Sequence, residues 1–500
     1  MEKRKRKMRL SIDKRLKTPV YLQISAQIKE KILKGELVDS YVLPSERVLA
    51  KNLGLHRNTI VRAYNELKAD GLITSYQGVG YQVDYKQTEQ KKRKAVNWQG
   101  IMKQKYMEIG SAFDEMFLKS QAESKISFAA GIAARDVYSQ QEVADCLAQI
   151  LSSGNRPSYF YTPYQGDLEL RTEIAAFMRT KGVLTNPGQV QIFSENNQAL
   201  DFLVTLLLSP GDKILTEEST SPDVYRAIEL AGAEVITVPM DEDGMICDNL
   251  EPLIETHKPR FIYVNCSYHN PTGTVLSLER RKKLLDLSYQ YRLPIVEDDE
   301  ASELFFEGHK IPSLKAMDPG QNVIYMYSFS LTLVPGVGIS FMLAPREVVK
   351  SLSEMVSVRL VTLDWMPQEL TCQYLKDGTF LSKLEDFRAA YQKKRDLMCG
   401  YLDEAAQELG LSYRKPKGGV YLWVKLPGEL SVSKLMRETE KQGLSFIPGD
   451  IFFPEKNPGG NYIRLNYSYP TEEQIKKGMK ILIEAAQKIQ KNKGFQPATL

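Results

Sequence analysis

The 500-residue chain has only five cysteines and four histidines, and neither set forms a pattern. Cys146, Cys247, Cys266, Cys372 and Cys399 are odd in number and widely spaced. That excludes a disulfide frame or zinc site and predicts reduced, partly buried thiols. His56, His257, His269 and His309 have no metal-ligand spacing. No apolar run approaches the roughly 18 residues that a membrane span needs. The basic opening is not followed by the apolar core of a secretory signal, so the expectation is a cytoplasmic protein with no membrane partner.

Charge is also scarce in the net, at +4, although 26% of residues are charged and 43% are apolar. The composition is globular, and the length predicts more than one domain. Its basic residues are unevenly placed. Lys3, Arg4, Lys5, Arg6, Lys7 and Arg9 open the chain, and Lys91, Lys92, Arg93 and Lys94 form a second run. The two runs flank a small domain over 11–85, which points to a nucleic-acid partner.

Within that domain Ile24, Ile28 and Ile32 recur every fourth residue and predict a helix that stops at Gly35. Ser45 is placed to cap a second helix, with Val48, Leu49 and Leu53 turned inward and Gly54 ending it. A third helix runs through Ile60, Ala63, Tyr64 and Leu67 to Gly71. Two helices joined by a tight glycine turn make a helix-turn-helix, the last of them read as the major-groove element. Ile73, Ser75, Tyr81 and Val83 flank the turn Gln77-Gly78-Val79-Gly80 and predict a hairpin, or wing.

These residues resemble the winged helix of GntR-type bacterial regulators in three segments: Leu43-Pro44-Ser45-Glu46-Arg47-Val48-Leu49-Ala50, Leu53-Gly54-Leu55-His56-Arg57-Asn58-Thr59, and Gly78-Val79-Gly80. The resemblance implies a double-stranded DNA operator as partner, met by Ser45, Arg47, His56, Arg57, Asn58, Thr59, Arg62, Gly78 and Gly80. Arg57, at the start of the third helix, has the fork that matches guanine O6 and N7, and Ser45 and Thr59 suit phosphate.

The stretch 86–125 begins Lys- and Gln-rich, as a linker does. It then carries an apolar stripe, Trp98, Ile101, Met102, Tyr106, Phe113, Met116 and Phe117, expected to dock on the large C-terminal domain. Over 126–495 apolar strand-like runs alternate with helical periods, which predicts a parallel sheet covered on both faces with ligands at its carboxyl ends.

Tyr161-Thr162-Pro163-Tyr164-Gln165-Gly166, Ser209-Pro210-Gly211-Asp212, Asn270-Pro271-Thr272-Gly273, Glu297-Asp298-Asp299 and Tyr462-Ile463-Arg464-Leu465-Asn466 resemble fold-type I aminotransferases. The implied fold is α/β: a doubly wound, mostly parallel sheet with a smaller C-terminal α+β domain, behind the winged helix-turn-helix. That fusion resembles the MocR subfamily of GntR-type regulators, the group containing GabR and PdxR. Its second domain senses pyridoxal phosphate (PLP).

Matched to the family's PLP segment, Ser328-Phe329-Ser330-Leu331 places Leu331 where the Schiff-base lysine stands, and Gly338 where the phosphate arginine stands. Leucine has no amine to form an imine. The phosphate loop becomes Ser194-Glu195-Asn196-Asn197-Gln198-Ala199-Leu200, in which the Glu195 carboxylate opposes a phosphate dianion. The stacking ring falls on Ser221 and the cofactor-bonding tyrosine on Glu300.

The expectation is therefore a homodimeric regulator without catalytic residues or PLP, its second domain serving dimerisation and sensing an amine or amino acid. Asn270, Asp298 and Arg464 are the ligand-binding candidates. Each has a plain alternative: Asn270 making a turn, Asp298 capping the next segment, Arg464 paired with Asp298 or Glu300. The competing reading is a PLP-dependent aminotransferase or a PLP-responsive regulator that holds the cofactor weakly without the covalent bond.

Overall fold

The structure, a computed structural model, describes residues 10–13, 18–76, 78–84, 96–103, 106, 126–134, 137, 139–152, 161–334, 336–454 and 461–493. It divides into two units, Met1–Ile109 and Gly110–Leu500. Both basic runs lie outside the described residues, as do Gln77, Phe113, Met116 and Phe117. The remaining members of the expected docking stripe, Trp98, Ile101, Met102 and Tyr106, are exposed.

In the first unit α1 (Val20–Leu33) buries Ile24, Ile28 and Ile32, one stripe of a helix with 3.6 residues per turn. Helix α2 (Glu46–Leu53) opens under Ser45, whose Oγ accepts from the Val48 amide at 3.4 Å, and closes at Gly54 with φ of 63°. Here the sequence reading needs a correction: Leu49 and Ala50 turn inward, but Val48 is 51% exposed. In so short a helix the Leu49–Leu53 stripe takes the core, and Val48 falls about 100° to one side. Helix α3 (Arg57–Ala69) begins beneath His56, whose Nδ1 accepts from the Asn58 amide at 3.3 Å. The Tyr64 hydroxyl donates to the Pro44 carbonyl at 2.7 Å and ties α3 to the approach of α2. Strands β1 (Ile73–Tyr76) and β2 (Gly80–Val83) pair antiparallel, Ile73 opposite Val83 and Ser75 opposite Tyr81. Gly78 and Gly80 have φ of 79° and 97° at the tip, where a side chain would be strained.

The second unit is built on seven strands: β3 (Val190–Phe193), β4 (Lys213–Glu217), β5 (Glu234–Val238), β6 (Ile262–Val264), β7 (Ile295–Asp298), β8 (Val323–Ser328) and β9 (Ser340–Leu343). Their order is β3-β9-β8-β7-β6-β4-β5. Only β9 runs against its neighbours. Alternation along the strands explains the burial. Leu215, Ile262, Val264, Ile295 and Val323 enter one apolar core, while Ile214, Tyr263, Val296 and Ile324 enter another. With a side-chain period of two, the sheet is thus covered on both faces.

Helices α4 (Leu168–Thr180), α5 (Asn196–Leu207) and α6 (Pro222–Ala231) belong to this layered part. A second sheet, β10 (Ser412–Tyr413), β11 (Tyr421–Lys425), β12 (Ile447–Pro448) and β13 (Tyr462–Asn466), is ordered β10-β11-β13-β12 and antiparallel. No described helix is long and apolar enough to cross a membrane.

Candidate nucleic-acid interface and candidate ligand cleft

The residues expected to meet DNA lie at the start of α2, the start of α3 and the wing tip. Arg47, His56, Arg57 and Asn58 are exposed and Thr59 is half-buried. Arg57 opens α3 with its side chain 57% exposed, one guanidinium nitrogen 3.6 Å from Glu46 Oε2. That pair joins the first turns of α2 and α3. Gly78 and Gly80 are exposed with open space where a Cβ would be. Arg62 is different: five residues after Arg57 it is turned about 140° around α3, and its guanidinium lies 4.5 Å from the Tyr21 ring centroid. Ser45 is engaged as a helix cap, which leaves its hydroxyl hydrogen available to a phosphate oxygen.

The cleft of the second unit lies past the carboxyl ends of β3, β4, β6, β7 and β8. A cavity of about 420 Å³ is walled there by Glu195 and Asn196 after β3, by Ser221 and Asp223 after β4, and by Tyr263 and Asn265 at β6. Asp298 and Glu300 of β7 and its end, Ser328 and Ser330 of β8 and its end, and Tyr421 and Arg464 of the second sheet complete the wall. Open parallel sheets put ligands at this edge because loops and helix N-termini diverge from it.

Asp298 is the most tightly held of these groups. Its Oδ2 accepts from the Tyr263 hydroxyl at 2.6 Å and its Oδ1 from Asn196 Nδ2 at 3.2 Å. Burial pushes its pKa up to about 6, against the Tyr263 bond, which lowers it. The Glu300 carboxylate has no hydrogen-bond or ion-pair partner among the described residues. Its pKa is raised well above the usual carboxylate range by burial and by the nearby charges of Asp298, Glu195 and Asp223.

Glu195 stands at the N-cap of α5 without capping it. Instead its Oε2 accepts from Ser330 Oγ at 2.6 Å, and Ser330 is bonded in turn to Ser328. A Cβ built on Gly338 would lie 2.9 Å from Glu195 Oε1 and 2.8 Å from the Ser194 carbonyl. The space beside Gly338 therefore already holds the Glu195 carboxylate.

Arg464 does not make the expected pair with Asp298 or Glu300. Its Nη1 donates to Asn270 Oδ1 at 2.9 Å and its Nη2 to the Ala129 carbonyl at 2.9 Å. The guanidinium also lies 4.3 Å from the Tyr421 ring centroid and 4.9 Å from that of Phe452. The correction has a simple cause: β13 faces the Asn270 turn, while the carboxylates come from the central sheet. Arg464 is 3% exposed, yet its Nε has no partner and no carboxylate lies within ion-pair distance among the described residues. Asn270 thus does more than turn the chain, and Asp298 is held by Tyr263 and Asn196 while also accepting from the Glu300 amide, so it caps the segment that follows it as well.

Among the described residues no lysine lines the cavity. Leu331 is 2% exposed in the large apolar core, and its carbonyl accepts from the Tyr391 hydroxyl at 3.1 Å. The buried Lys181 is bound elsewhere: its ammonium contacts Asp299 at 3.2 Å, Glu303 at 3.1 Å, and Ser302 and Tyr325 at 2.7 Å. Those two carboxylates raise its pKa in opposition to burial, so it is a cation and no nucleophile. Sequence reading gave no role to Asn196, Asp223, Tyr263, Ser330 or Tyr421. A tyrosine inside an otherwise apolar strand, Phe261-Ile262-Tyr263-Val264, was the available signal for one of them.

Comparison with known proteins agrees with this geometry. Residues 124–482 match the family of aminotransferase class I and II, and residues 20–83 match the bacterial regulatory proteins of the gntR family. The solved structure of LysN, an alpha-aminoadipate aminotransferase from Thermus thermophilus complexed with N-(5'-phosphopyridoxyl)-L-leucine, is similar with a TM-score of 0.73. It is 30% identical and covers 79% of this chain and 100% of its own. The chain belongs to the aminotransferase class I and II family, with a gntR-family domain in front.

Two relatives share both parts. The HTH-type transcriptional regulator YdfD of Bacillus subtilis is 28% identical over 93% of this chain and 95% of its own. The probable rhizopine catabolism regulatory protein MocR of Rhizobium meliloti is 26% identical over 88% of each. A gntR-type head on an aminotransferase-like body is the build of a MocR-type regulator, and the chain has that build.

Proposed function

We propose that the chain is a DNA-binding transcriptional regulator whose aminotransferase-like unit carries out no transamination and works without PLP, as the dimerisation and effector-sensing part of a homodimer. The observation that carries the reading is the cleft itself: among the described residues it is lined by no amine, and a protein carboxylate stands beside Gly338. The residues present do not fit PLP. Leu331 is a buried hydrocarbon, and Ser221 and Glu300 supply neither a ring nor a phenol. Each lost charged hydrogen bond to a phosphate forfeits about 1.5 to 3 kcal/mol, and Glu195 adds repulsion.

The winged helix supports the other half of the reading, with Arg47, His56, Arg57 and Asn58 exposed at the starts of α2 and α3 and two glycines at the wing tip. Two such heads in a homodimer would read two half-sites. The competing reading, a working transaminase, draws on a body 30% identical to LysN. One measurement decides between them. The purified protein mixed with PLP is expected to show no Schiff-base absorbance band and to retain no cofactor after borohydride treatment. A band fixed by borohydride overturns the proposal.

A further inference from the structure

The cleft has a charge pattern that names its ligand more closely, given the reading above that PLP is not the occupant. Its central-sheet side carries Glu195, Asp223, Asp298 and Glu300, and its second-sheet side carries Arg464. Among the described residues, four carboxylates thus face one guanidinium with no lysine between them. An acidic group of this kind could simply be solvated, but two further observations argue for a ligand. Arg464 is 3% exposed, with Nε unpartnered and no carboxylate within ion-pair distance among the described residues, Asp223 acting on it only at longer range. Buried cations without a counter-charge are costly and are ordinarily paired. The Glu300 carboxylate also lacks a donor of its own. The missing partners are therefore one carboxylate on the Arg464 side and at least one ammonium on the Glu300 side.

Glu195 closes the other end. Its carboxylate, bonded to Ser330 Oγ and pressed beside Gly338, is a built-in anion at the head of α5. A second anion brought there by a phosphorylated ligand meets it at close range, whereas an ammonium gains from it.

We propose that the cleft binds a free diamino carboxylic acid, its carboxylate on Arg464 and its two ammonium groups among Asp298, Glu300 and Glu195, and that Glu195 excludes phosphorylated ligands by standing in for their phosphate. A neutral amino acid satisfies the Arg464 side but leaves surplus carboxylates. A plain diamine satisfies the carboxylates but leaves Arg464 buried and unpaired. Only a ligand with both charges, in surplus of the positive, serves Arg464 together with Asp298, Glu300 and Glu195.

Calorimetric titration of the full-length protein with ornithine, norvaline, putrescine and PLP tests this. Ornithine is expected to bind, with norvaline, which lacks the distal amine, and putrescine, which lacks the carboxylate, each weaker by about tenfold or more. Glu300→Gln is expected to narrow the ornithine to norvaline gap, and Arg464→Met the ornithine to putrescine gap. Norvaline or putrescine matching ornithine overturns the inference, as does the absence of binding by ornithine, lysine and 2,4-diaminobutyrate alike. In that last case, with PLP also inert, the proposed function stands and only the ligand class falls. A borohydride-fixed PLP adduct sinks the proposed function itself. Because the ligand comparison uses the unaltered protein, a variant that fails to fold does not shield the inference.

Discussion

Replacing Arg57 with alanine tests the DNA-reading half separately from the cleft. A guanidinium bonded to guanine O6 and N7 is worth about 1 to 3 kcal/mol of discrimination. In the free protein, however, Arg57 already lies 3.6 Å from Glu46, with 57% of its side chain exposed. A pair so open to water contributes roughly 0 to 1 kcal/mol, and DNA binding gives it up. The net loss for Arg57→Ala is then about 0 to 3 kcal/mol, with a midpoint of about 1.5 kcal/mol or roughly tenfold in affinity. Removing the competitor with Glu46→Gln should enlarge the Arg57→Ala effect by as much as about 1 kcal/mol, so the two changes are coupled. Fluorescence anisotropy would compare a duplex selected from a random pool with a scrambled one, at fixed salt because phosphate contacts respond steeply to salt. The reasoning is refuted if the alanine variant keeps its full preference for the selected duplex. It is refuted too if both duplexes lose equally, which would make Arg57 a phosphate contact.

The second unit gives three further expected outcomes. Leu331→Lys alone is expected to leave the protein colourless with PLP, since Glu195 and Gly338 still deny the phosphate its anchors; a Schiff-base band from the single change would contradict this. Lys181→Met removes the cation between Asp299 and Glu303 and should cost about 3 to 5 kcal/mol in a urea melt, with part of the loss recovered in acid as the carboxyls protonate. Binding of a diamino acid should be pH-dependent. Asp298, its pKa pushed up to about 6, is faced by Tyr263, Glu217, Asp223, Glu195, Glu300, Tyr421 and Arg464. A cation binds the ionised form, so affinity should rise with pH up to about 6, by at most about tenfold per unit, and flatten for this group above it. Glu300 and Glu195, also raised by burial, add their own slope, so the share of Asp298 is read as the part of the calorimetric profile that Asp298→Asn removes; an unchanged profile in that variant would show that Asp298 takes no part.

Much of this architecture is legible in the residues alone. Glycines and prolines punctuate apolar runs such as Lys213-Ile214-Leu215, and Ser45 and Gly54 bracket a helix by their local chemistry. The match that sets Leu331 against the family's lysine and Gly338 against its arginine is likewise made residue by residue. What could not be read depends on distant partners. Arg464 meets Asn270 and Ala129, 194 and 335 residues away along the chain, so its expected pairing with Asp298 or Glu300 had no local test. Val48 went wrong for a smaller reason, because an eight-residue helix leaves its inward stripe underdetermined by pattern.

The same distinction bears on whether the cleft is merely a relic. An inert dimeriser gains nothing from unpaired buried charge, and filling the space with apolar side chains of similar volume would be neutral or stabilising. The Leu331 position has gone that way: its side chain is packed into the apolar core. The cavity next to it has not. It keeps about 420 Å³ open, with the Arg464 Nε unsatisfied and Glu300 without a donor. Each such group carries about 1 to 3 kcal/mol of unmade hydrogen bonding, and more where it is charged. A ligand that completes them recovers that free energy in the folded state alone, and so must raise the melting temperature as it binds. On the proposed reading the cleft has no catalytic part while a recognition part remains unfulfilled, and that combination is expected of a sensor rather than of a filled remnant.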